Sequence, residues 1–428
     1  MMRFIKRPRI GVYGGPPVRQ SSHDEIHDDL QGRTICLAHR GSLRYASRLL
    51  QEIGALRDCG AHIVFLAHHP DTEYVPDGLD IVVAEDAPPL PPSTARVWLV
   101  RVVSNVVRNR VRGLYANWTA SNPLKRAMER RPIDLIWAVD WPMLKRYSLR
   151  ARLNGIPILY ETLDLYPEQS SMREEDRIRE VRSEGRALRR VAGFVTAGEA
   201  YADYYVEQHK LTYRPVVRDN ASGPRVSAIR PTEPPVSLIF MGALTINRNL
   251  PNLVRAMALS SARIRLTLQG EDRLAPQIQD LIRELGVEGR VSIEEPVPPD
   301  RLTLAASRHD VGIVSLEPAS RNEELASTTK LFTYMSAGLA VIGSDLPGLA
   351  SVVRRHDIGW LVSGQEPDAW ACAFSQIENS PPCVIDDFKR RSLAASEAHS
   401  WESQGPGYLN EFRKALPKSI QLRVSVRP

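Results

Sequence analysis

Residues 328 to 349 read TTKLFTYMSAGLAVIGSDLPGL, and three kinds of local structure follow from them in order. Leu331, Phe332, Tyr334 and Met335 make an apolar, helix-like run. Ala337-Gly338 ends it, because glycine tolerates the left-handed geometry of a helix C-terminal cap. Leu339 to Ile342 reads as a short buried strand, with turns at Gly343-Ser344-Asp345 and Pro347-Gly348. Lys330 falls in the first turn of the helix, where free N–H groups and the helix dipole attract anions. At the mouth of a parallel sheet its charge suits a phosphate. A solvated lysine on an ordinary core helix fits the same residues.

Working outward, the second half begins with the strand Val236–Met241, the turn Gly242-Ala243-Leu244 and a helix through Ala258. Ile264–Leu268, Val291–Glu294, Val311–Leu316 and Gly359–Val362 read as further strands. In the first half, Thr34–Ala38 and Ala61–Ala67 are strands on either side of a helix from Leu43 to Leu56, whose apolar positions follow the 3.6-residue period. A parallel sheet places ligands beyond the carboxyl ends of its strands. The loop His39-Arg40-Gly41-Ser42 is therefore placed to touch a substrate, with Gly41 allowing close backbone approach; a tight turn without a ligand role accounts for it equally. Asp134–Val139 and Ile156–Glu161 end the same way, in Asp140-Trp141-Pro142 and Thr162-Leu163-Asp164-Leu165-Tyr166-Pro167-Glu168. Their carboxylates suit ligand hydroxyls or helix caps. Residues 173–192 read as a charged helix with a solvated face.

The pattern at 328–349 resembles the donor-binding segment of GT-B glycosyltransferases, in particular retaining family four, the group 1 glycosyltransferases, with their K-L-F-E-Y-M-A-A-G-x-P-V-I motif. The resemblance extends over roughly residues 33 to 412. It implies two Rossmann-like, doubly wound β/α/β domains facing a central cleft. The expected plan is an extension at 1–32, an acceptor-side domain at 33–220, a Gly/Pro/Ser-rich linker at 221–235, a donor domain at 236–398, and a C-terminal element at 399–428 whose helix crosses back to the first domain. It also implies sugar transfer from a nucleoside diphosphate sugar, with retention, to a glycan or lipid-linked acceptor in surface polysaccharide synthesis. The donor is a co-substrate, and no metal or other cofactor is implied.

The motif matches locate the site. Gly242 matches the glycine of the family's Y-x-G-R-x-x-x-K-G phosphate segment, Ala243 replaces its arginine, and Arg248 stands where its lysine belongs. Arg248 and Lys330 are thus the expected diphosphate clamp and catalytic cations. Donor contacts are further expected at Gly270 and Glu271, where relatives have G-x-G, and at Val297, where relatives read the base through backbone groups. The acid that grips the ribose corresponds to Thr333, and its partner eight residues earlier to Leu325. Glu323 and Glu324 lie close to that partner position. Glu161 and Asp164 keep two acids of the Y-D-x-H-E-L-x-P-E segment, where Leu163 replaces the histidine. The expected acceptor contacts are His39, Gly41, Ser42, Asp140, Glu161 and Asp164.

Composition narrows the alternatives. The 428 residues are 43% hydrophobic and 25% charged, enough for about two or three globular domains. No run of about 18 apolar residues occurs, and the N-terminus lacks the apolar core of a signal peptide. Residues 1–32 are turn-rich and polar and are expected to be partly disordered or draped over the surface. Cys36, Cys59, Cys372 and Cys383 lack metal-ligand spacing and fit reduced thiols in a cytoplasmic protein. The adjacent His68 and His69 point oppositely along a strand and chelate poorly. The net charge of +6, largely from clustered arginine, suits phosphate or an anionic membrane but brings no nucleic-acid reader motif. Residues 96–118, with Trp98 and five arginines between 96 and 112, fit an interfacial helix on the cytoplasmic face of a membrane or a core helix with arginine stems over apolar surface. Two rivals remain: a binding scaffold on a degenerate fold, favoured by Thr333, Leu325 and Ala243, and a nucleotide-sugar epimerase. A dinucleotide oxidoreductase is disfavoured, because Gly11–Gly15 has no following helix pattern and no GxGxxG occurs.

Overall fold

In the computed structural model, the described residues are 29–43, 46–67, 79–83, 123–221, 223–245, 248–261, 263–270 and 274–417. Residues 1–28 of the extension, His68 and His69, the segment 96–118, and Glu271 lie outside them.

Among the described residues, two parallel sheets account for the architecture. The first holds β1 (Thr34–His39), β2 (His62–Ala67), β3 (Asp80–Val83), β4 (Leu135–Val139), β5 (Ile158–Thr162), β6 (Gly193–Thr196) and β7 (Val216–Val217). Its order is β3-β2-β1-β4-β5-β6-β7. The second holds β8 (Val236–Met241), β9 (Ile264–Gln269), β10 (Val291–Glu294), β11 (Val311–Val314), β12 (Ala340–Ser344) and β13 (Gly359–Val362), in the order β10-β9-β8-β11-β12-β13. Strands such as LIWAV and AVIGS are buried at every position, because helices cover both faces of a parallel sheet. The order reverses between β1 and β4 in one sheet and between β8 and β11 in the other. A crevice opens at such a switch point, beyond the strand ends. His39, Asp140 and Gly242 stand at the ends of β1, β4 and β8.

The helix Trp401–Ala415 returns to the first sheet. Tyr408, Leu409 and Phe412 join Leu37, Trp137 and Leu159 in one apolar cluster. The Trp137 ring meets Phe412 edge-on at 5.3 Å and Tyr408 at 6.4 Å, contacts that add about 0.5–1.5 kcal/mol each beyond burial. Ser400 caps this helix by accepting from the Ser403 N–H.

Beneath that cluster lies a buried ionic network. Glu161 accepts from Arg48, from Trp137 Nε1 (2.8 Å) and from Tyr408 Oη (3.0 Å). Arg48 also donates to Glu52 (2.9 Å), to the Arg218 carbonyl and to Asn220 Oδ1 (3.1 Å). Arg48, Glu52, Glu161 and Arg218 are all buried. The network binds the Ser47–Asp58 helix, β5, the crossing at 218–220 and the C-terminal helix.

Candidate active site

The glycine loop after β8 sets the geometry. Gly242 has φ +117°, a conformation strained for any residue with a Cβ. A Cβ there would also stand 2.9 Å from Lys330 Cε. Its absence lets the lysine stem pass the loop, and Lys330 Nζ lies 4.9 Å from the Phe240 ring centroid. Gly270, after β9, packs backbone to backbone on the same loop. The Gly242 N–H donates to the Gln269 carbonyl (2.9 Å), and a Cβ on Gly270 would strike the Gly242 carbonyl.

Lys330 rises from the first turn of the helix Thr329–Ser336, where backbone N–H groups lack intrahelical partners. It is half-buried. Burial, and then the Arg248 guanidinium, push its ammonium down to about 7. No carboxylate among the described residues offsets this. Arg248 is lowered by its own burial, feels the carboxylates of Glu323 and Asp164, and keeps a buried Nε without a described hydrogen-bond partner. The structure thus brings Gly242, Gly270, Arg248 and Lys330 together, with Asp164 reaching them from the other domain.

Asp164 sits on the loop after β5 and lines a cavity of about 300 Å³ between the domains, with Arg48, Tyr201, Ser327, Thr328 and Thr329. Asp140 supports that loop from the end of β4. Its Oδ1 accepts from the N–H groups of Leu163 (2.8 Å) and Asp164 (3.3 Å). It does so from φ +66°, a left-handed conformation that aspartate tolerates better than most residues and that often marks a functional site. Burial, and then the Asp164 charge, push the Asp140 carboxyl up to about 8. Asp164 is raised as well, chiefly by burial.

His39 ends β1 with a buried Nδ1 lacking a described partner, and burial holds its imidazole neutral, down to about 4. A Cβ at Gly41 would stand 2.8 Å from His39 Nε2, so the glycine makes room for the ring. Ser42 lies half-buried in the same loop. Val297 packs on the apolar cluster of the second domain, which includes Met241 and Leu331.

Three expected contacts are placed elsewhere. Glu161 is not an acceptor group: it is wholly buried, and both oxygens serve the ionic network. Thr333 is buried and returns its hydroxyl to the Thr329 carbonyl (3.0 Å), the usual recourse of threonine within a helix. Leu325 packs into an apolar cluster of the first domain, so its side chain joins the two domains. Among the described residues, no three His, Cys, Asp or Glu side chains are grouped to hold a metal. No helix among them is long and apolar enough to cross a membrane.

One pH effect follows from Lys330. Its pKa lies below that of free lysine, so much of the ammonium is neutral at pH 8. A bound diphosphate favours the charged form. Binding at pH 8 is therefore expected to take up a proton, and affinity to fall between pH 6 and 9. Calorimetric titration of UDP, GDP, ADP and dTDP at pH 8, in buffers of different ionisation enthalpy, measures that uptake directly.

Known proteins share this architecture. The profile of the family described as "Glycosyl transferase 4-like domain" matches residues 15–218, and that of "Glycosyl transferases group 1" matches residues 235–379. The D-inositol 3-phosphate glycosyltransferase of Rhodococcus erythropolis is 27% identical over 262 residues, 58% of this chain and 56% of that protein. Its Rhodococcus opacus counterpart is 27% identical over 47% of this chain and 45% of its own. The chain thus spans about half the length of the curated relatives it matches. Among solved structures, sucrose-phosphate synthase from Thermosynechococcus elongatus superposes with a TM-score of 0.64 at 17% identity, over 89% of this chain and 98% of that one. The Anabaena protein HepE, solved with UDP and glucose, gives 0.62 at 14% identity, over 89% and 99%. These likenesses establish the GT-B fold. With one family profile on each half and that architecture beneath both, the chain belongs to the group 1 glycosyltransferases.

Proposed function

We propose that the chain transfers a glycosyl group from a nucleoside diphosphate sugar to an acceptor hydroxyl held on the first domain. The observation that carries this reading is the pair Lys330 and Arg248, two cations converging on a glycine loop at a helix N-terminus. In the transfer, the bond from the anomeric carbon to the diphosphate oxygen breaks and a bond to the acceptor oxygen forms. The hydroxyl proton leaves with the departing diphosphate. Arg248 and Lys330 act on the charge that develops on that leaving group, the kind of electrostatic term that usually dominates catalysis. The donor is a co-substrate, and the two cations are proposed to suffice without a metal ion.

Retention at the anomeric carbon, and a glycan or lipid-linked acceptor in surface polysaccharide synthesis, are the finer parts of the proposal and rest on the family resemblance. Peripheral contact with an anionic membrane rests on the basic segment 96–118. The test is release of nucleoside diphosphate from UDP-glucose, GDP-mannose, ADP-glucose and dTDP-glucose, with and without EDTA, water serving as acceptor. Slow turnover of one donor, unchanged by chelation, is expected. Conversion of the sugar with no diphosphate released would point to an epimerase. Failure of all four donors to bind would leave the scaffold reading.

A further inference from the structure

The contact that joins the two halves of the site comes from Asn322, a residue without any motif. It lies in the short helix Arg321–Leu325 of the second domain. Asn322 and Leu325 are three residues apart and share one helical face. That face turns toward the first domain: Leu325 enters its apolar cluster, and Asn322 is buried beside it.

Among the described residues, the hydrogen bonds of the Asn322 side chain run across the cleft. Its Oδ1 accepts from the Leu165 N–H (2.7 Å) and from Tyr201 Oη (2.8 Å). Its Nδ2 donates to Asp164 Oδ1 (3.2 Å). Leu165 and Tyr201 are themselves buried, so two buried donors hold the amide oxygen. Asp164 Oδ2 has no described partner, and the residue lines the cavity between the domains.

We propose that Asn322 is a positioning residue, which by holding Asp164 Oδ1 across the cleft aims Asp164 Oδ2 at the acceptor hydroxyl. The proposal rests on the transferase reading given above and deepens it. The bond exists only while the two domains are apposed. Closure and orientation of the acceptor-side carboxylate are therefore one event. Asp164 orients the hydroxyl and forms no covalent bond during transfer. The charged groups facing it are Asp140 beneath its loop, Glu323 on the Asn322 helix, and Arg248.

Asn322→Asp isolates the contact. The new carboxylate still accepts from Leu165 and Tyr201 but meets Asp164 with a like charge instead of a donor. The full chain is labelled with 13Cγ-aspartate, and the Asp164 resonance is assigned by its loss in Asp164→Asn. In Asn322→Asp, the Asp164 carboxyl is expected to titrate about one pH unit or more above wild type. Diphosphate release from the accepted nucleotide sugar is expected to fall about tenfold or more in kcat. KM for the donor and affinity for its diphosphate stay within about twofold, because the donor clamp is untouched.

The double variant Asn322→Asp with Asp164→Asn restores a donor–acceptor pair with the roles exchanged. It is expected to recover the thermal midpoint but not the turnover. An unmoved Asp164 titration would overturn the proposal, as would turnover regained in the double variant. Equal losses of diphosphate affinity and kcat in Asn322→Asp would also overturn it. Failure of wild type to bind any nucleoside diphosphate would instead refute the donor site, while the titration still decides the Asn322 contact.

Discussion

Lys330→Ala is expected to bind a nucleoside diphosphate about 10- to 100-fold more weakly than wild type, the range for loss of a charge-assisted hydrogen bond. Arg248→Ala is expected to lose a similar factor. The physical case rests on three facts about Lys330. It extends from a helix N-terminus, where the peptide dipoles already favour an anion. It is held close to another cation, Arg248, and no carboxylate among the described residues neutralises it. Its stem is threaded past Gly242, which has no side chain to block it. Removing the ammonium leaves the helix N–H groups in place, so residual affinity is expected. The fold is expected to be unchanged, since Lys330 makes no described ion pair whose loss would strand a partner. Calorimetry paired with circular dichroism checks both statements. Unchanged affinity in both alanine variants would remove the clamp from the account.

Glu161→Ala is expected to lower the stability of the first domain by about 3–5 kcal/mol, the cost of breaking a buried ion pair from one side. The substitution leaves Arg48 facing a cavity and removes the acceptor for Trp137 Nε1 and Tyr408 Oη. Glu161→Gln keeps an oxygen for those two donors and is expected to cost less. Denaturant midpoints measure both. The opposite pattern, a normal midpoint with a raised acceptor KM, would return Glu161 to the acceptor site.

The fold was legible because its strands advertise themselves. Runs such as TICLA, VSLIFM and AVIG are short, apolar and bounded by turns, as buried parallel strands are. Helix starts were less legible. The Asp140–Leu153 helix begins directly after β4 with Pro142 in its first turn, a position proline tolerates but which reads in sequence as a loop. β3, the run DIVV, follows a proline- and aspartate-rich stretch and did not stand out from it.

The grouping of Gly242 with Lys330 was legible for a similar reason, since a glycine loop and a cation at a helix start have local signatures; Arg248 was named only through the family motif. The acceptor side was not legible, because its roles depend on partners distant in sequence. Glu161 and Asp164 look alike on the page. One pairs with Arg48, 113 residues away, and the other with Asn322, 158 residues away. Arg48 carried no signal in an amphipathic helix, and Asn322 sat in a polar loop among more conspicuous glutamates. Thr333 and Leu325 occupy the family's acidic positions, yet Thr333 turns its hydroxyl back to its own helix and Leu325 packs into an apolar cluster. Glu323, together with Asp164, lies within electrostatic reach of Arg248.

The most direct test of the central claim is calorimetric titration of the wild-type chain with UDP, GDP, ADP and dTDP, each beside its monophosphate. A diphosphate spans both cations, whereas a monophosphate engages fewer charges. One base is expected to bind as its diphosphate at least about tenfold more tightly than as its monophosphate, the equivalent of about 1.4 kcal/mol. No binding of any diphosphate to the folded protein, or equal binding of mono- and diphosphates, would contradict a donor site built on Arg248 and Lys330.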